Sequence, residues 1–423
     1  MDHFLYRGGR LHAEDVDLDA IVAGVGTPVY VYSTATLLRH FRLFDEALAP
    51  LPHLVCFAVK ALSNVAVLRV LAQAGAGMDV VSGGEYLRAR AAGVPGERIV
   101  FSGVAKTEDE MALALQGGIR HFNVESAPEI EMLSAVAMRT GREAAVSLRV
   151  NPDVDAHTHA KIATGRKGDK FGIPVAFAPR VAARVAHLPG LRLAGVDVHI
   201  GSQLTELAPF EAAFTRLAAL VGELRAQGHA IESVNLGGGL GIPYARANEA
   251  PPLPVDYGAL VRRTVGHLGC EVIIEPGRLI AGNAGVLLSR VVRAKQGEDR
   301  DFLILDAGMN DLIRPAMYDA FHDIVPLREP PAGAPVRPFD VVGPVCESGD
   351  TFARARDLPF LAADDLVAFR SAGAYGAVMA SEYNSRPLVP EVLVHGDQFA
   401  VIRARPSYDE MIARDSLPPW LQA

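Results

Sequence analysis

The chain has 423 residues, half of them hydrophobic and 21% charged, which is enough for a large buried core and two unequal domains and excludes a disordered or collagen-like chain. Lys and Arg number 41 against 49 Asp and Glu, a net charge of −8, and no long basic run offers a footprint for nucleic acid. Cys56, Cys270 and Cys346 lie far apart, which gives neither a disulfide framework nor a zinc spacing and suits a reducing compartment. The N-terminus has no apolar core of a signal peptide and no stretch approaches the roughly 18 apolar residues of a membrane span, so the chain reads as soluble and cytoplasmic.

Residues 1–34 are too short to fold by themselves, and Thr27-Pro28-Val29-Tyr30-Val31-Tyr32 predicts a strand that pairs into a later β domain. From about residue 50 the chain alternates short β-branched runs with Ala- and Leu-rich helical stretches, the rhythm of repeated βα units. Eight strands are predicted: His53 to Lys60, Gly77 to Ser82, Arg98 to Gly103, His121 to Ser126, Ala144 to Asn151, Leu193 to Gly201, Ser233 to Gly239 and Glu271 to Gly277. Each leads to a helix except the last. Eight such units fit a closed (β/α)8 barrel of the TIM type better than an open sheet.

After residue 285 short apolar runs such as Phe302-Leu303-Ile304-Leu305, Leu366-Val367-Ala368-Phe369 and Val392-Leu393-Val394 are separated by turns, not helices. They predict a mainly antiparallel β-sandwich or barrel. The proline-rich segment Pro326 to Pro338 reads as an exposed loop. The domain assignment is therefore residues 35–285 for the barrel, with 1–34 and 286–423 together forming the β domain.

In such a barrel the reactive groups sit at the carboxyl ends of the strands. Those ends carry Lys60, Asp79 with Ser82, Ser102, Glu125, Arg149 with Asn151, His199 with Ser202, Gly237-Gly238-Gly239, and Glu275. Many ionisable groups converging on one mouth are costly unless they bind something charged. Taken singly, Lys60 reads first as a barrel-end lysine reaching for water, the glycines as a common turn, and Glu275-Pro276-Gly277-Arg278 as a turn with a structural ion pair. Together they describe a pyridoxal 5'-phosphate site: an imine-forming amine, backbone N–H groups for a phosphate, and a carboxylate for the pyridine nitrogen.

The chain also resembles the diaminopimelate decarboxylases from end to end. It shares Ala58-Val59-Lys60-Ala61, Asp79-Val80-Val81-Ser82-Gly83-Gly84-Glu85, Lys170-Phe171-Gly172, His199-Ile200-Gly201-Ser202-Gln203, the Gly237 loop, Glu275 to Arg278, Arg314-Pro315-Ala316-Met317-Tyr318, Cys346-Glu347-Ser348-Gly349-Asp350 and Tyr383-Asn384-Ser385-Arg386-Pro387. The resemblance implies an alanine-racemase-like barrel with a β domain, a homodimer with shared active sites, and conversion of meso-diaminopimelate to L-lysine and CO2. Residue by residue it implies Lys60 as the Schiff-base lysine, Asp79 in the cofactor site, His199 as a ring-stacking partner, and Ser202, Gly238, Gly239, Gly277 and Tyr375 around the phosphate. It further implies Glu275 on the pyridine nitrogen, Arg278, Arg314 and Tyr318 on substrate carboxylates with Tyr375 nearby, Glu347 on the distal ammonium, and Cys346 as the acid that replaces CO2.

One position departs from the family pattern: Leu62 stands where asparagine is usual after Lys60-Ala61, which bears on positioning or rate. His157-Thr158-His159 lacks a third ligand at metal spacing and reads as a loop, so no metal centre is predicted. The rivals are a decarboxylase of another basic amino acid or carboxylated polyamine, an amino acid racemase of the same fold, in which an arginine and not an acid such as Glu275 faces the pyridine nitrogen, and, from another class, a non-catalytic pyridoxal phosphate carrier or a cofactor-free Schiff-base aldolase.

Overall fold

The computed structural model describes residues 2–154, 165, 170–245 and 251–421; the His157-Thr158-His159 segment lies outside them. Contacts divide the chain into two units, Thr36–Gly282 and Met1–Ala35 with Asn283–Ala423.

The first unit is a ring of eight parallel strands: β1 (His53–Ala58), β2 (Gly77–Val80), β3 (Ile99–Phe101), β4 (His121–Val124), β5 (Ala144–Asn151), β6 (Leu191–Val198), β7 (Ser233–Asn235) and β8 (Glu271–Ile274). Each pairs with its sequence neighbours and β8 closes onto β1, so this is a (β/α)8 barrel. The strands carry buried apolar runs, such as Leu54 to Phe57 and Val272 to Ile274, because a parallel barrel strand has helices on one side and the packed interior on the other.

Seven of the predicted strands are too long at their carboxyl ends. β1 stops at Ala58 and Val59–Ala61 is a 3-10 turn; β7 stops at Asn235, before the glycines. The ladder ends where the chain must turn toward a helix, so Lys60, Ser102, Glu125, His199 and Glu275 stand one or two residues beyond their strands. The turns are set by side-chain caps: Ser82 Oγ accepts from the Glu85 N–H at 3.2 Å, Thr107 and Glu110 form a reciprocal capping box, and Ser126 Oγ accepts from the Glu129 N–H at 3.3 Å. The last strand, expected to lack a helix, is followed by the single turn Arg278–Ala281.

The second unit is built on a sheet ordered Thr351–Pro359, Val336–Val342, Asp301–Leu305, Gly285–Lys295, Val29–Ser33, Glu391–His395, Gln398–Arg403. The N-terminal strand enters its middle as expected, antiparallel to Gly285–Lys295 (Tyr30 opposite Leu287) and parallel to Glu391–His395 (Val31 opposite Val392). Leu366–Phe369 pairs with Gly285–Lys295 and with Ile324–Pro326. The pairings are antiparallel except two, Asp301–Leu305 with Val336–Val342 and Val29–Ser33 with Glu391–His395. The proline-rich loop is shorter than expected, since Pro326 ends one strand and Pro338 lies inside another. Phe4, Leu11, Val29, Val31, Leu288 and Val392 belong to its core.

Candidate active site

Lys60 projects from the 3-10 turn after β1, and its Nζ donates to Asp79 Oδ2 at 2.5 Å. Asp79 lies on β2 with its side chain fully buried, and Asp79 Oδ1 has no hydrogen-bond partner. A buried carboxylate with one oxygen committed to the lysine and the other open is a polar group awaiting a ligand.

His199 follows β6, half-buried. Its Nδ1 accepts from the Gly201 N–H at 3.3 Å, which places the ring proton on Nε2. Loss of water around the ring, then Arg149 and Lys60, hold its pKa well below the usual value. A flat, neutral imidazole at the mouth is suited to lie against a planar ring. Gly237 packs against it with φ of 63°, and a Cβ there would sit 3.1 Å from the His199 ring.

The glycine loop lies so close to its neighbours that no side chain fits on it. A Cβ on Gly238 would come within 2.3 Å of the Glu275 carbonyl oxygen, and Gly239, at φ of 113°, would bring one within 2.6 Å of the Gly201 carbonyl. Only glycine fits a backbone that turns this way and lies this close to its neighbours. Gly277 caps the helix turn that begins at Arg278.

Glu275 sits just past β8 and is 4% exposed. Its Oε1 accepts from Asn123 Nδ2 at 3.1 Å and from Asn235 Nδ2 at 2.6 Å. Both bonds end on Oε1, which leaves Oε2 as the oxygen to meet a base. Burial, then the neighbouring Asp79, raises the Glu275 pKa to about 7, against the pull of Lys60, the Asn235 bond and Arg149. Asp197 on β6 is pushed up in the same way, by burial and then by Glu275, and its Oδ1 is unpartnered. Arg149 stands among these acids, donating to Glu125 Oε1 at 2.9 Å and lying 3.8 Å from Asp197 Oδ2. Phe171 stacks under the Arg149 guanidinium at 5.0 Å, and the Gly172 N–H donates to Glu125 at 3.0 Å, which is what the Lys170-Phe171-Gly172 motif builds.

Ser202 accepts from Arg278 Nη2 at 3.1 Å, and Arg278 Nη1 donates to the Tyr244 hydroxyl. The serine assigned to a phosphate and the arginine assigned to a carboxylate thus share one anion-ready corner with Tyr244. Tyr244, Asn123, Asn235 and Asp197 carry no role in the sequence reading. The signal for the two asparagines was present, since an amide inside a barrel strand that should be continuously apolar needs a buried partner.

These groups fit pyridoxal phosphate: a lysine amine, a cradle that a Cβ would close, a flat neutral imidazole and a buried carboxylate with one free oxygen.

The remaining predicted residues belong to the β unit. Arg314, 6% exposed, donates to His322 Nε2 at 3.0 Å, while His322 Nδ1 lies 3.0 Å from the Arg370 carbonyl. Tyr318 is half-buried on the same short helix, Arg314–Tyr318. Cys346 is exposed, whereas burial pushes the thiols of Cys56 and Cys270 up, so of the three cysteines Cys346 is the one available to act as an acid. Its loop is pinned at both ends: the Cys346 N–H donates to Asn384 Oδ1 at 3.2 Å, and Asp350 accepts from the N–H groups of Val345 and Met309 at 2.6 and 2.7 Å. Glu347 accepts a hydrogen bond from the Tyr383 hydroxyl. Tyr375 has φ of 56°, a left-handed conformation that is costly for an aromatic residue and concentrates at functional positions.

Residues 34–282 match the family model described as "Pyridoxal-dependent decarboxylase, pyridoxal binding domain". The barrel is thus the cofactor domain of that class of decarboxylases. Over its whole length the chain is 52% identical to the diaminopimelate decarboxylase of Pseudomonas aeruginosa (99% of this chain, 100% of the relative) and 50% identical to that of Zymomonas mobilis (99% of each). The crystal structure of diaminopimelate decarboxylase from M. jannaschii in complex with L-lysine superposes with a TM-score of 0.94 at 36% identity over 99% of both chains. The Helicobacter pylori enzyme, also complexed with L-lysine, gives 0.90 at 37% identity over 94% of this chain and 99% of that one. The chain belongs to the diaminopimelate decarboxylase family.

Proposed function

We propose that this protein removes the carboxylate from the D-configured carbon of meso-diaminopimelate, releasing CO2 and L-lysine. The observation that carries the reading is the buried Glu275, held through Oε1 alone at the mouth of a barrel that also presents Lys60. An acid at that point favours a protonated pyridine nitrogen, which decarboxylation needs; the racemases of this fold place an arginine there. When bound, pyridoxal phosphate supplies an aldehyde for the amino group and a ring that accepts the electron pair left by CO2.

The roles of the chain's own residues follow. Glu275 Oε2 holds a proton on the ring nitrogen, and His199 covers a ring face. Gly238, Gly239, Gly277, Ser202 and Tyr375 receive the phosphate. Lys60 Nζ is the amine that would hold the cofactor aldehyde, with Asp79 keeping it in place. Arg278, Arg314 and Tyr318 bind the substrate carboxylates, because guanidinium forks match carboxylate geometry. Glu347 meets the distal ammonium, and Cys346 Sγ supplies the proton that replaces CO2. Parallel incubation with meso-diaminopimelate, ornithine and arginine tests the substrate: CO2 and lysine should come from the first only, and equal release from ornithine would overturn the assignment.

The protein is read as a cytoplasmic homodimer in which the loop Cys346 to Asp350 of one chain serves the barrel of its partner, giving two equivalent composite sites. No helix of the described residues is long and apolar enough to cross a membrane. Mixing inactive Lys60→Ala and Cys346→Ala chains should restore activity. With free exchange, half the dimers are heterodimers with one intact site of two, so recovery should approach about a quarter of wild type. Verified heterodimers with no activity above either parent would show that each chain completes its own site.

A further inference from the structure

Asn123 lies on β4, four strands from β8 and so on the opposite wall of the ring, and is 0% exposed. Its Nδ2 uses both hydrogens, one on Glu275 Oε1 at 3.1 Å and one on Ser102 Oγ at 2.9 Å. Asn235, also fully buried, ends β7 beside β8. Its Oδ1 accepts from the Gly237 N–H at 3.0 Å, which fixes the amide orientation, since only the oxygen can face an N–H. The Asn235 Nδ2 is therefore turned onto Glu275 Oε1. Behind Asn123, the buried ammonium of Lys106 spends its three hydrogens on the carbonyls of Asn123 and Gly103, each at 2.7 Å, and on Glu129 Oε1 at 2.6 Å. The end of β4 is thus anchored, and Asn123 cannot drift from the acid it reaches.

We infer that Asn123 and Asn235 are positioning residues that act through Glu275, gripping Oε1 from the far wall of the barrel and from the neighbouring strand so that Oε2 alone is presented to the pyridine nitrogen. The inference rests on the proposed role of Glu275. Two features make the grip more than general core satisfaction. Both amides converge on one oxygen, where two donors spread over both oxygens would satisfy the carboxylate better. Each amide also belongs to a neutral side chain in a region crowded with Asp79 and Asp197, where a further acid would repel Glu275 and a cation would draw it away from the ring. Asn235 in addition couples the acid to the first glycine of the phosphate loop, so the ring nitrogen and the phosphate are placed by one side chain.

The test is a double-mutant cycle of Asn123→Ser with Glu275→Gln, read in kcat, KM and the affinity for pyridoxal phosphate, the last by titrating cofactor-free protein and following visible absorbance. With Glu275 present, Asn123→Ser should lower kcat at least about tenfold, the lower range of a hydrogen bond to a charged group, with KM nearly unchanged and weaker cofactor binding. In the Glu275→Gln background the same substitution should change kcat and cofactor affinity less than about twofold, because the charge that the asparagine positions is gone even though an oxygen remains for it to grip. Equal losses in both backgrounds, or none with Glu275 present, would overturn the inference. Asn235→Ser run through the same cycle decides the matter should Asn123→Ser not fold. If the wild type releases no CO2 from diaminopimelate, the substrate reading fails while the cofactor titration still tests the grip.

Discussion

Lys60→Ala is expected to lose decarboxylase turnover and the visible absorbance of the bound cofactor together, while the barrel stays folded and still takes up pyridoxal phosphate without a covalent link. The side chain leaves a 3-10 turn at the rim and is about one-third exposed, so truncation opens no cavity in the core. What it removes is the amine that must exchange with the substrate amine, and among the described residues no other lysine stands in that ion pair with Asp79. The proposed phosphate site uses Gly238 and Gly239, which lie close against the Glu275 and Gly201 carbonyls, a packing the substitution does not touch. The melting temperature should fall, because buried Asp79 loses its cation. Gel filtration, absorbance and a CO2 assay on one preparation separate these effects, and near-normal turnover would sink the assignment of Lys60.

The barrel was legible because its signal is repetitive: eight apolar runs separated by helical stretches leave few alternatives to a closed ring. The glycine loop and Glu275 were legible as local patterns of residue type. Strand ends were less so, because a ladder stops when hydrogen bonding to both neighbours stops, and apolarity continues past that point, as Val59 and Leu236 do. Thr351–Pro359 escaped notice for the opposite reason. Its Arg354 and Asp357 are exposed and Arg356 is charged as well, so the strand reads as polar loop. The asparagines were missed because their meaning lies across the ring: Asn123 and Glu275 are 152 residues apart, and nothing local to His121-Phe122-Asn123-Val124 names the partner. Arg278 with Tyr244 is a similar case, joined by the path of two loops.

Glu275→Gln is expected to lower kcat at least about a hundredfold, since a preorganised charge at such a site contributes about 3 kcal/mol. The substitution keeps the size of the side chain and an oxygen for Asn123 and Asn235, so packing is preserved and the loss isolates the charge. A neutral amide cannot hold a proton on the ring nitrogen, and without that proton the ring takes up electrons poorly. KM should move less than kcat, because the substrate carboxylates are assigned to Arg278, Arg314 and Tyr318. The cofactor-free protein gives a second readout that needs no turnover. Burial and Asp79 raise the Glu275 pKa from the ordinary 4.5 to about 7, so between those values the folded protein keeps a proton that the unfolded chain has lost. Folding then binds protons, and this group's contribution to stability, fully present below about pH 4.5, is lost as pH rises to about 7. Glu275→Gln should remove that slope, so the melting temperature of the cofactor-free variant should vary less across this range than that of the wild type. An unchanged kcat with an unchanged slope would mean that another acid holds the ring. Asp197 and Asp79, each with an unpartnered buried oxygen, are the ones to replace next.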